Sequence, residues 1–424
     1  MYSSIHGRAR RALNGFNMNS SNDILSSATT APNTIPKGLR ISPDLTTPGA
    51  RAATSATPDD IDDLLCFSHL RWNFVYQRPQ HLLTRAARRW RVWYVEEPVW
   101  SDTPGLRVRL AGHQLYVVEP HLPHGTTPDE AIRLQRAMVD QLRADHRIQN
   151  YAVWYYTPMA MLFSDHLHPR LTVYDCMDEL SAFMGAPPLL IEQEQRLMHR
   201  ANLVFTGGYS LYEAKQKHHT RAYPFPSCID YDHFVQARAG LPNPADQQGI
   251  VGPRIGYSGV IDERLDLALI DQLVQHRPDW QFVFLGPVAK IHPDQLPRHP
   301  NLHFLGMKAY DDLPAYFSNW QAALMPFAIN AATKYISPTK TPEYLAAGLP
   351  VLSTPVRDVV RSYGGWERVC IAGSAEELST RLASLLHRSD DSDGPQLEQF
   401  LREQSWENTW QQMQRIMKTQ LLVG

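Results

Sequence analysis

The stretch Ser337-Pro-Thr-Lys-Thr-Pro-Glu-Tyr-Leu-Ala-Ala-Gly-Leu-Pro-Val-Leu-Ser-Thr354 predicts a loop, a helix and a buried strand in close succession. Gly348 suits the left-handed position that ends a helix, and Pro350 prevents the helix from restarting. The apolar pair Val351-Leu352 is typical of a strand in a parallel sheet, where both faces are covered. The segment therefore predicts one crossover of a parallel α/β sheet.

The loop before this helix carries the polar groups expected of a nucleoside-diphosphate site. Lys340 and the backbone N–H groups can meet phosphate oxygens, and the start of the helix adds partial positive charge. Glu343, in the first helical turn, can accept hydrogen bonds from two ribose hydroxyls. An ordinary crossover with an exposed lysine and glutamate has the same residues, so both interpretations stay open at this point.

The segment resembles the C-terminal-domain signature of the retaining, nucleotide-sugar-dependent glycosyltransferases of the family-4, or group-1, type. That signature pairs two glutamates eight positions apart and ends in an Ala-Gly-x-Pro-Val run. Glu343 matches the second glutamate, whereas Tyr335 stands at the first. The Ser337–Lys340 loop resembles a Ser-Pro-x-Lys variant found in one branch of the family. The donor-binding residues that the resemblance implies in this segment are Ser337, Thr339, Lys340, Thr341 and Glu343.

Length and composition fit two α/β domains. The chain has 424 residues, and 43% of them are hydrophobic, which is enough for two sizeable cores. Lys+Arg total 41 and Asp+Glu total 43. Because the charges balance and the arginines are dispersed, nothing favours nucleic acid as a partner. The four cysteines are far apart, which favours buried free thiols in a reducing cytoplasm.

The beginning of the chain is expected to lie outside the folded domains. Residues 1–59 are rich in Ser, Thr, Pro and Ala and poor in large apolar residues, which predicts a disordered tail without the features of a secretion signal. No run approaches the roughly 20 apolar residues of a transmembrane helix. The expected location is therefore the cytoplasm, and any membrane contact is expected to be peripheral, at the inner face.

Residues 60–236 alternate predicted strands and helices, as an acceptor-side domain of the family would. The predicted strands are 62–68, 91–95, 115–118, 151–155, 171–174 and 203–205, and the predicted helices are 78–90, 129–145 and 189–200. This alternation predicts a parallel sheet that binds ligands beyond the carboxyl ends of its strands.

A second series of strands predicts a nucleotide-sugar-binding domain over residues 250–395. These strands are 254–259, 281–285, 302–304, 322–325 and 351–352, and a linker with few apolar residues is predicted near 232–249. Residues 396–424, with Trp406 and Trp410, resemble the family's terminal helix, which crosses back to the first domain. The predicted fold class is α/β, with two Rossmann-like doubly wound domains facing a cleft, the GT-B glycosyltransferase fold.

A dense cluster of aromatic and polar residues, from Ser68 to His81, follows the first predicted strand. It lies at the expected mouth of the cleft, where a helix start favours anions or sugar oxygens. Aromatic rings also suit the apolar faces of sugars. The predicted acceptor-binding residues are His69, Trp72, Arg78, Gln80 and His81. The alternative is that the rings pack the loop and that His81 is an ordinary surface histidine.

Two aspartates lie in Tyr174-Asp-Cys-Met-Asp-Glu-Leu-Ser181, after the fifth predicted strand. The corresponding loop of the family holds a polar residue near the donor sugar and the reaction centre. By this resemblance Asp175 and Asp178 are candidate catalytic residues, one for the donor sugar and one for the acceptor. Acidic residues after a strand are also common helix caps, so this alternative stays open.

The turn Gly256-Tyr-Ser-Gly259 resembles the family's glycine turn, which precedes an arginine and a lysine that bind the diphosphate. Val260 stands where the first cation is usual, and Arg264 falls at about the second. Gly259 is therefore expected beside the donor, and Arg264 and Lys340 are expected to neutralise the diphosphate as the sugar leaves. An ion pair between Arg264 and a neighbouring acid is the structural alternative.

The resemblance implies transfer of a sugar from a nucleoside-diphosphate sugar to a hydroxyl of a glycan or lipid-linked acceptor. It further implies retention of configuration and a place in exopolysaccharide or envelope glycan synthesis. The diphosphate can take the acceptor proton, so no strong base, metal or cofactor is expected. A UDP sugar is favoured over GDP or ADP sugars as donor. Two alternatives stay open: a nucleotide-sugar epimerase on the same fold, and a non-catalytic nucleotide- or carbohydrate-binding protein.

Overall fold

A computed structural model describes residues 60–386 and 394–423 of the chain. The tail predicted for residues 1–59 lies outside the described residues. The described part contains two β-sheets of nine and six strands. The predicted α/β fold with two doubly wound domains is confirmed.

The first sheet is mainly parallel. Its strands are β1 (Asp63–Phe67), β2 (Arg91–Val95), β3 (Val99–Trp100), β4 (Gly105–Gly112), β5 (Leu115–Leu122), β6 (Tyr151–Tyr155), β7 (Leu171–Cys176), β8 (Leu203–Thr206) and β9 (Ala222–Pro224). They lie in the order β3-β5-β2-β1-β6-β7-β8-β9, with β4 paired to β5. Only the β4–β5 pair is antiparallel among these described strands. The parallel arrangement places the carboxyl ends of the central strands on one edge.

The central strands are mainly apolar because both faces of the sheet are covered. In β1, Leu65 and Phe67 pack into the core on one face, whereas Leu64 and Cys66 pack into the core on the other. This alternation is the two-residue period of a strand. The six strands predicted for this domain are confirmed.

Three strands of the first sheet were not predicted. The strands β3 and β9 have two and three residues, too short to give a pattern. The strand β4 lies at the periphery of the sheet, where Arg107 and Arg109 are exposed. An edge strand of this kind lacks the apolar run that identifies a buried strand.

Helices cover the first sheet. They are α1 (Arg78–Ala86), α2 (Pro128–Asp145), α3 (Met161–Ser164), α4 (Leu189–Arg200) and α5 (Tyr209–Lys215). The helix predicted for 78–90 ends four residues earlier than expected, at Ala86, because the chain turns there to enter β2. Proline stands in the first turn of α1 and of α2, where its missing N–H costs no helical hydrogen bond.

The second sheet is entirely parallel over its described strands. These are β10 (Arg254–Ser258), β11 (Gln281–Leu285), β12 (Leu302–Phe304), β13 (Ala322–Met325), β14 (Val351–Ser353) and β15 (Val369–Ile371). They lie in the order β12-β11-β10-β13-β14-β15. The five predicted strands are confirmed, and the three-residue β15 was missed.

The remaining helices accompany the second sheet and return to the first. They are α6 (Tyr231–Phe234), α7 (Leu267–His276), α8 (Leu313–Phe317), α9 (Lys340–Ala346), α10 (Arg357–Tyr363), α11 (Ala375–Leu386), α12 (Gly394–Glu403) and α13 (Trp406–Val423). As predicted, Gly348 follows α9 with a left-handed φ of +84°. Over residues 60–386 and 394–423, no helix is both long and apolar enough to cross a membrane.

The last two helices belong to different cores. Leu397 and Leu401 of α12 pack with the second domain, whereas Trp406 and Trp410 of α13 pack with the first. Phe234, within the predicted linker, is buried in the second core. The domain limits 60–236, 250–395 and 396–424 stay predictions.

The two domains also contact each other through α5 and α10. The Ser210 hydroxyl and backbone N–H donate to Asp358, the N–H at 3.0 Å. Glu213 accepts from Arg357 at 2.7 Å and from Arg361 at 2.8 Å. These contacts join the two domains through α5 and α10.

Candidate active site

A cleft with a cavity volume of about 440 Å³ separates the two domains. Residues 72–76 form its first-domain wall, and Ser258, Gly259, Gly286 and Lys340 contribute to its second-domain wall. The cleft therefore lies beyond the carboxyl ends of β10 and β11, where parallel α/β sheets bind ligands.

Two glycines form the floor of the cleft. Gly286 has a φ of +141°, and a Cβ atom at this position would collide with the carbonyl oxygen of Gly259. At Gly259 itself, a Cβ atom would lie 2.8 Å from the Tyr257 hydroxyl and 3.4 Å from Cε of Lys340. Glycine is required at both positions, so bare backbone is presented beside Lys340.

Lys340 and Glu343 form a pair at the start of α9. The Lys340 ammonium lies 3.3 Å from Oε2 of Glu343. The Glu343 side chain is only 6% exposed, whereas that of Lys340 is 18% exposed. Burial raises the pKa of Glu343, while Lys340 and the Thr339 hydroxyl act in the opposite direction. The pair thus presents a cation and a shielded carboxyl group side by side at the cleft.

The other predicted donor residues of this loop lie in different surroundings. Ser337 packs against the first domain, where a Cβ atom on Gly208 would lie 2.8 Å from Cβ of Ser337. Thr341 is fully buried, and its hydroxyl has no hydrogen-bond partner among the described residues. The prediction that Thr341 binds the donor stays a prediction.

Arg264 is oriented by a buried carboxylate. Its Nε donates to both carboxylate oxygens of Asp262, at 2.9 and 3.0 Å, and its backbone N–H donates to the same group at 3.0 Å. The Asp262 side chain is 2% exposed and that of Arg264 is 24% exposed. Asp262 and Asp178 together raise the pKa of Arg264. The ion pair expected as an alternative exists, yet it leaves the guanidinium accessible.

A second cation, Lys290, reaches the same place from the loop after β11. Its ammonium lies 4.4 Å from the centre of the Phe183 ring, and the Arg264 guanidinium lies 5.9 Å from the same ring. Lys290 also lies 3.4 Å from a carboxylate oxygen of Glu263. Because Phe183 belongs to the first domain, these two cations meet that domain across the cleft.

Two predicted first-domain residues face these cations. Asp178 is half-buried, and burial raises its pKa to about 6 although Arg264 and Lys290 oppose the shift. Burial and, to a smaller extent, the charge of Lys290 lower the pKa of His69 to about 4. At pH 7 His69 is therefore neutral and Asp178 is mainly ionised. The structure thus brings both residues to the second domain's positive groups.

The predictions for Arg78 and Asp175 are corrected by the structure. Arg78 donates to the Asp175 carboxylate through Nη2 at 2.8 Å and through Nε at 3.0 and 3.1 Å. A further bond of 2.8 Å joins Arg78 to the carbonyl oxygen of Phe225. The two side chains are 3% and 0% exposed. They tie α1 to β7 inside the first domain, so neither can contact an acceptor or a reacting group.

Gln80 and His81 are also used internally. The Gln80 amide donates to the carbonyl oxygen of Trp72 at 2.8 Å and accepts from the backbone N–H of Gln77 at 3.1 Å. The His81 ring stacks on Trp406 at 4.7 Å, and burial holds its pKa well below the usual range. The prediction of acceptor contact is therefore corrected for His81, whereas Gln80 also lines the cleft and its acceptor role stays a prediction. Trp72 does line the cleft, on the wall opposite Lys340.

Two tyrosines complete the cleft. Tyr335, where the family signature has its first glutamate, packs against the core of the first domain. Tyr310 lines the cleft, and its ring lies 4.5 Å from that of His233 and 4.8 Å from that of Tyr76. Its hydroxyl has no hydrogen-bond partner among the described residues. Burial raises the pKa of Tyr310, and the charge of Glu343 adds to the rise.

Lys290 and Tyr310 were missed because no recognised motif contains them. A β-bridge between Ile261 and Val288 joins the loop after β11 to the loop after β10. That tertiary pairing, and no local signal, brings Lys290 next to Arg264. In the described part of the chain, no group of three or more His, Cys, Asp or Glu side chains is arranged to hold a metal ion.

Comparison with known proteins identifies the second domain. Residues 253–388 match the family described as Glycosyl transferases group 1. The chain is also 28% identical over 218 residues to the putative teichuronic acid biosynthesis glycosyltransferase TuaH of Bacillus subtilis (strain 168). This match covers 48% of the chain and 55% of the relative, so the chain spans about half the length of the curated protein it matches.

Solved structures identify the fold of both domains. Sucrose-phosphate synthase from Thermosynechococcus elongatus has a TM-score of 0.64 and 14% identity, over 86% of this chain and 100% of that one. Anabaena HepE, solved in complex with UDP and glucose, has a TM-score of 0.61 and 14% identity, over 84% of this chain and 99% of that one. The protein has the GT-B fold, and most of its second domain matches the glycosyltransferase group 1 family.

Proposed function

We propose that the protein is a retaining glycosyltransferase that moves a sugar from a nucleoside-diphosphate sugar to a hydroxyl of a glycan or lipid-linked acceptor. The proposed setting is the synthesis of an envelope glycan or exopolysaccharide, at the cytoplasmic side of the membrane. The group 1 match and the similarity to TuaH support this activity and this setting.

The observation that carries the proposal is the convergence of positive charge at the cleft. Lys340 lies beside Gly259, and Arg264 and Lys290 lie together against the ring of Phe183 from the first domain. Departure of a sugar leaves charge on the diphosphate, and fixed cations stabilise that charge most when they are already oriented. Lys290 supplies the positive charge that Val260 lacks at the first cation position of the family pattern.

Each residue of the cleft has a role in this scheme. Asp262 holds the Arg264 guanidinium in one orientation, so little reorganisation is needed as charge develops. Glu343 accepts hydrogen bonds from the donor ribose, and the free Tyr310 hydroxyl contacts the same part of the nucleotide. Asp178 and His69 face the sugar from the first domain, close to the diphosphate-binding cations.

The chemistry requires little basicity from the protein. The sugar–diphosphate bond breaks, the acceptor hydroxyl attacks from the same side, and a diphosphate oxygen takes the acceptor proton. This front-side course accounts for retention without a covalent intermediate. UDP is the proposed nucleotide, because HepE, which shares the fold, was solved with UDP.

Calorimetric titration with UDP, GDP and ADP tests the donor site. We expect one nucleotide to bind, and we expect Glu343→Ala to weaken that binding by about 1.5–3 kcal/mol, the value of hydrogen bonds to a charged group. The control is Glu192→Ala, because Glu192 is exposed on α4 in the other domain. Failure of all three nucleotides to bind the wild-type protein would reject the transferase proposal.

Turnover separates the proposal from its alternatives. The alternatives are a nucleotide-sugar epimerase and a binding protein that holds the nucleotide without consuming it. Of these two, the binding protein is favoured by Tyr335, which stands where the family signature has its first glutamate. A transferase should release nucleoside diphosphate from the donor faster when a glycan acceptor is added. Tight nucleotide binding without such release would identify a binding protein, and a changed sugar nucleotide formed without acceptor would identify an epimerase.

A further inference from the structure

A second pocket lies within the first domain, beyond the carboxyl ends of β1, β2 and β6. Its wall is mainly apolar and includes Phe67, Trp100 and Phe163, together with the carboxyl group of Glu97. The cavity volume is about 100 Å³. Cavities of about 150 Å³ hold a single six-membered ring. The pocket is smaller than this, so it can take only the edge of a ring that lies mainly at its mouth, and it is too small for a long acyl chain.

Two consecutive glutamates in this pocket have different surroundings. Glu96 accepts hydrogen bonds from Arg71 Nη1 at 3.0 Å and from the backbone N–H of Trp72 at 2.7 Å. Within residues 60–386 and 394–423, no hydrogen bond or ion pair reaches the half-buried carboxyl group of Glu97. Burial raises the pKa of Glu97 to about 8, against the charge of Arg71. A partly desolvated carboxyl group without a partner is unfavourable, and a ligand that donates hydrogen bonds would relieve this cost.

The residues that line this pocket favour one class of ligand over others. A sugar ring can donate from its hydroxyls to Glu97 while its C–H face packs on an aromatic ring. Trp100 is 39% exposed at the rim, so its ring is accessible to such a ligand. A purely apolar ligand would leave Glu97 unsatisfied.

The pocket adjoins the interdomain cleft. Ser68 lies in the pocket wall, and the next residue, His69, is near enough to Lys290 for that charge to lower its pKa. Consecutive Cα atoms are only about 3.8 Å apart. A ring held in the pocket would thus lie at the first-domain end of the cleft that contains Arg264 and Lys340.

We infer that this pocket binds the sugar ring of the acceptor, with Glu97 accepting hydrogen bonds from its hydroxyl groups. The identity of that sugar as an acceptor rests on the proposed function. The inference selects a glycan in place of a lipid chain as the group recognised by the first domain. It also moves the acceptor site away from the side chains of Arg78, Gln80 and His81 in α1.

The test uses the full chain labelled with 5-fluorotryptophan and observed by fluorine NMR. Loss of one resonance in Trp100→Phe assigns the signal of Trp100. The probes are the methyl glycosides of glucose, galactose and N-acetylglucosamine. We expect at least one of them to shift the Trp100 resonance, and we expect Glu97→Ala to weaken that response about tenfold or more. Glu192→Ala should leave it unchanged.

The outcomes separate this inference from the proposed function. UDP binding measured on each variant shows that the variant is folded and that the donor site is intact. A Trp100 resonance that no glycoside moves, in protein that binds UDP, would overturn the pocket and leave the transferase proposal standing. A response that persists unchanged in Glu97→Ala would overturn the role of Glu97. A Glu97-dependent response in protein that binds no nucleotide would support the pocket and reject the transferase.

Discussion

The first domain encloses the Arg78–Asp175 pair, whereas the second domain leaves the Arg264–Asp262 pair open at the cleft. The Arg78 and Arg264 side chains are 3% and 24% exposed. Both guanidinium groups are held by a carboxylate that is almost fully buried. The comparison shows that the same pair of residue types serves packing in one domain and is available to a ligand in the other.

The number of internal partners explains the difference. Arg78 donates to both the Asp175 carboxylate and the Phe225 carbonyl group, so its guanidinium is surrounded by its own domain. Asp262 contacts Arg264 from one side, and the other side faces Phe183 across the cleft. Only the second arrangement leaves positive charge available for an anionic ligand.

The largest effect that tests this comparison is expected for Arg78→Ala. Removal of one partner leaves the Asp175 carboxylate buried without compensation, which should lower the free energy of unfolding by about 3–5 kcal/mol. Urea-induced unfolding measures the change. Arg298→Ala is the control, because the Arg298 side chain is 78% exposed in its pair with Asp294, and it should cost less than about 1 kcal/mol. Equal losses in the two variants would show that burial does not distinguish these pairs.

Arg264→Ala should impair turnover. Loss of one oriented group that stabilises transition-state charge typically lowers kcat by about 10²–10³. Steady-state kinetics with a UDP sugar would measure the decrease, and urea unfolding would show that the variant is still folded although the buried Asp262 has lost its partner. Wild-type turnover in Arg264→Ala would remove this residue from the proposed mechanism.

Lys290→Ala should give a smaller decrease in turnover, about tenfold, or about 1.4 kcal/mol. The Lys290 side chain is 26% exposed. The neighbouring Arg264 remains in this variant, so part of the positive charge is kept. Lys290→Arg retains the charge and should recover most of the activity. If the alanine and arginine variants are equally impaired, the role of Lys290 is one of packing on Phe183 and not one of charge.

Asp178→Asn should change how stability depends on pH. In the folded protein the pKa of Asp178 is raised from 3.8 to about 6, in surroundings that include Arg264, Lys290, Asp262 and Arg78. Between these values the folded state holds a proton that the unfolded state has released, so this group's contribution to stability is lost as the pH rises from about 4 to 6.

The uncharged asparagine cannot show this loss. Relative to wild type, Asp178→Asn should therefore become more stable as the pH is raised through that interval, as urea unfolding at pH 4 and pH 7 would show. Asp102→Asn is the control, because the Asp102 side chain is 98% exposed. Parallel pH profiles for wild type and Asp178→Asn would contradict the raised pKa.

Long buried strands were predictable from the sequence, and short or peripheral ones were not. The runs that became β1, β6 and β11 are apolar because helices cover both faces of their sheets. The exposed β4 and the three-residue β9 and β15 have no such pattern. Their pairing depends on neighbouring strands that are distant in the sequence.

The site was predictable where the residues belong to one local segment. Lys340, Glu343 and Gly348 take their positions from one loop and one helix, so the sequence places them correctly. Lys290 enters the site only through the bridge between two loops, and Tyr310 only through packing at the domain interface. A single sequence carries no signal for such contacts.

By itself, the sequence determined the two-domain α/β architecture, the glycine turn at Gly259 and the Lys340–Glu343 pair, because these depend on local pattern and backbone conformation. The tertiary structure decided which charged groups remain accessible. It buried Asp175 against Arg78, turned Thr341 inward, and brought Lys290 to Arg264 and Asp178 to both. The physical reason is that desolvation and pairing are set by neighbours from distant parts of the chain, which residue type and spacing do not specify.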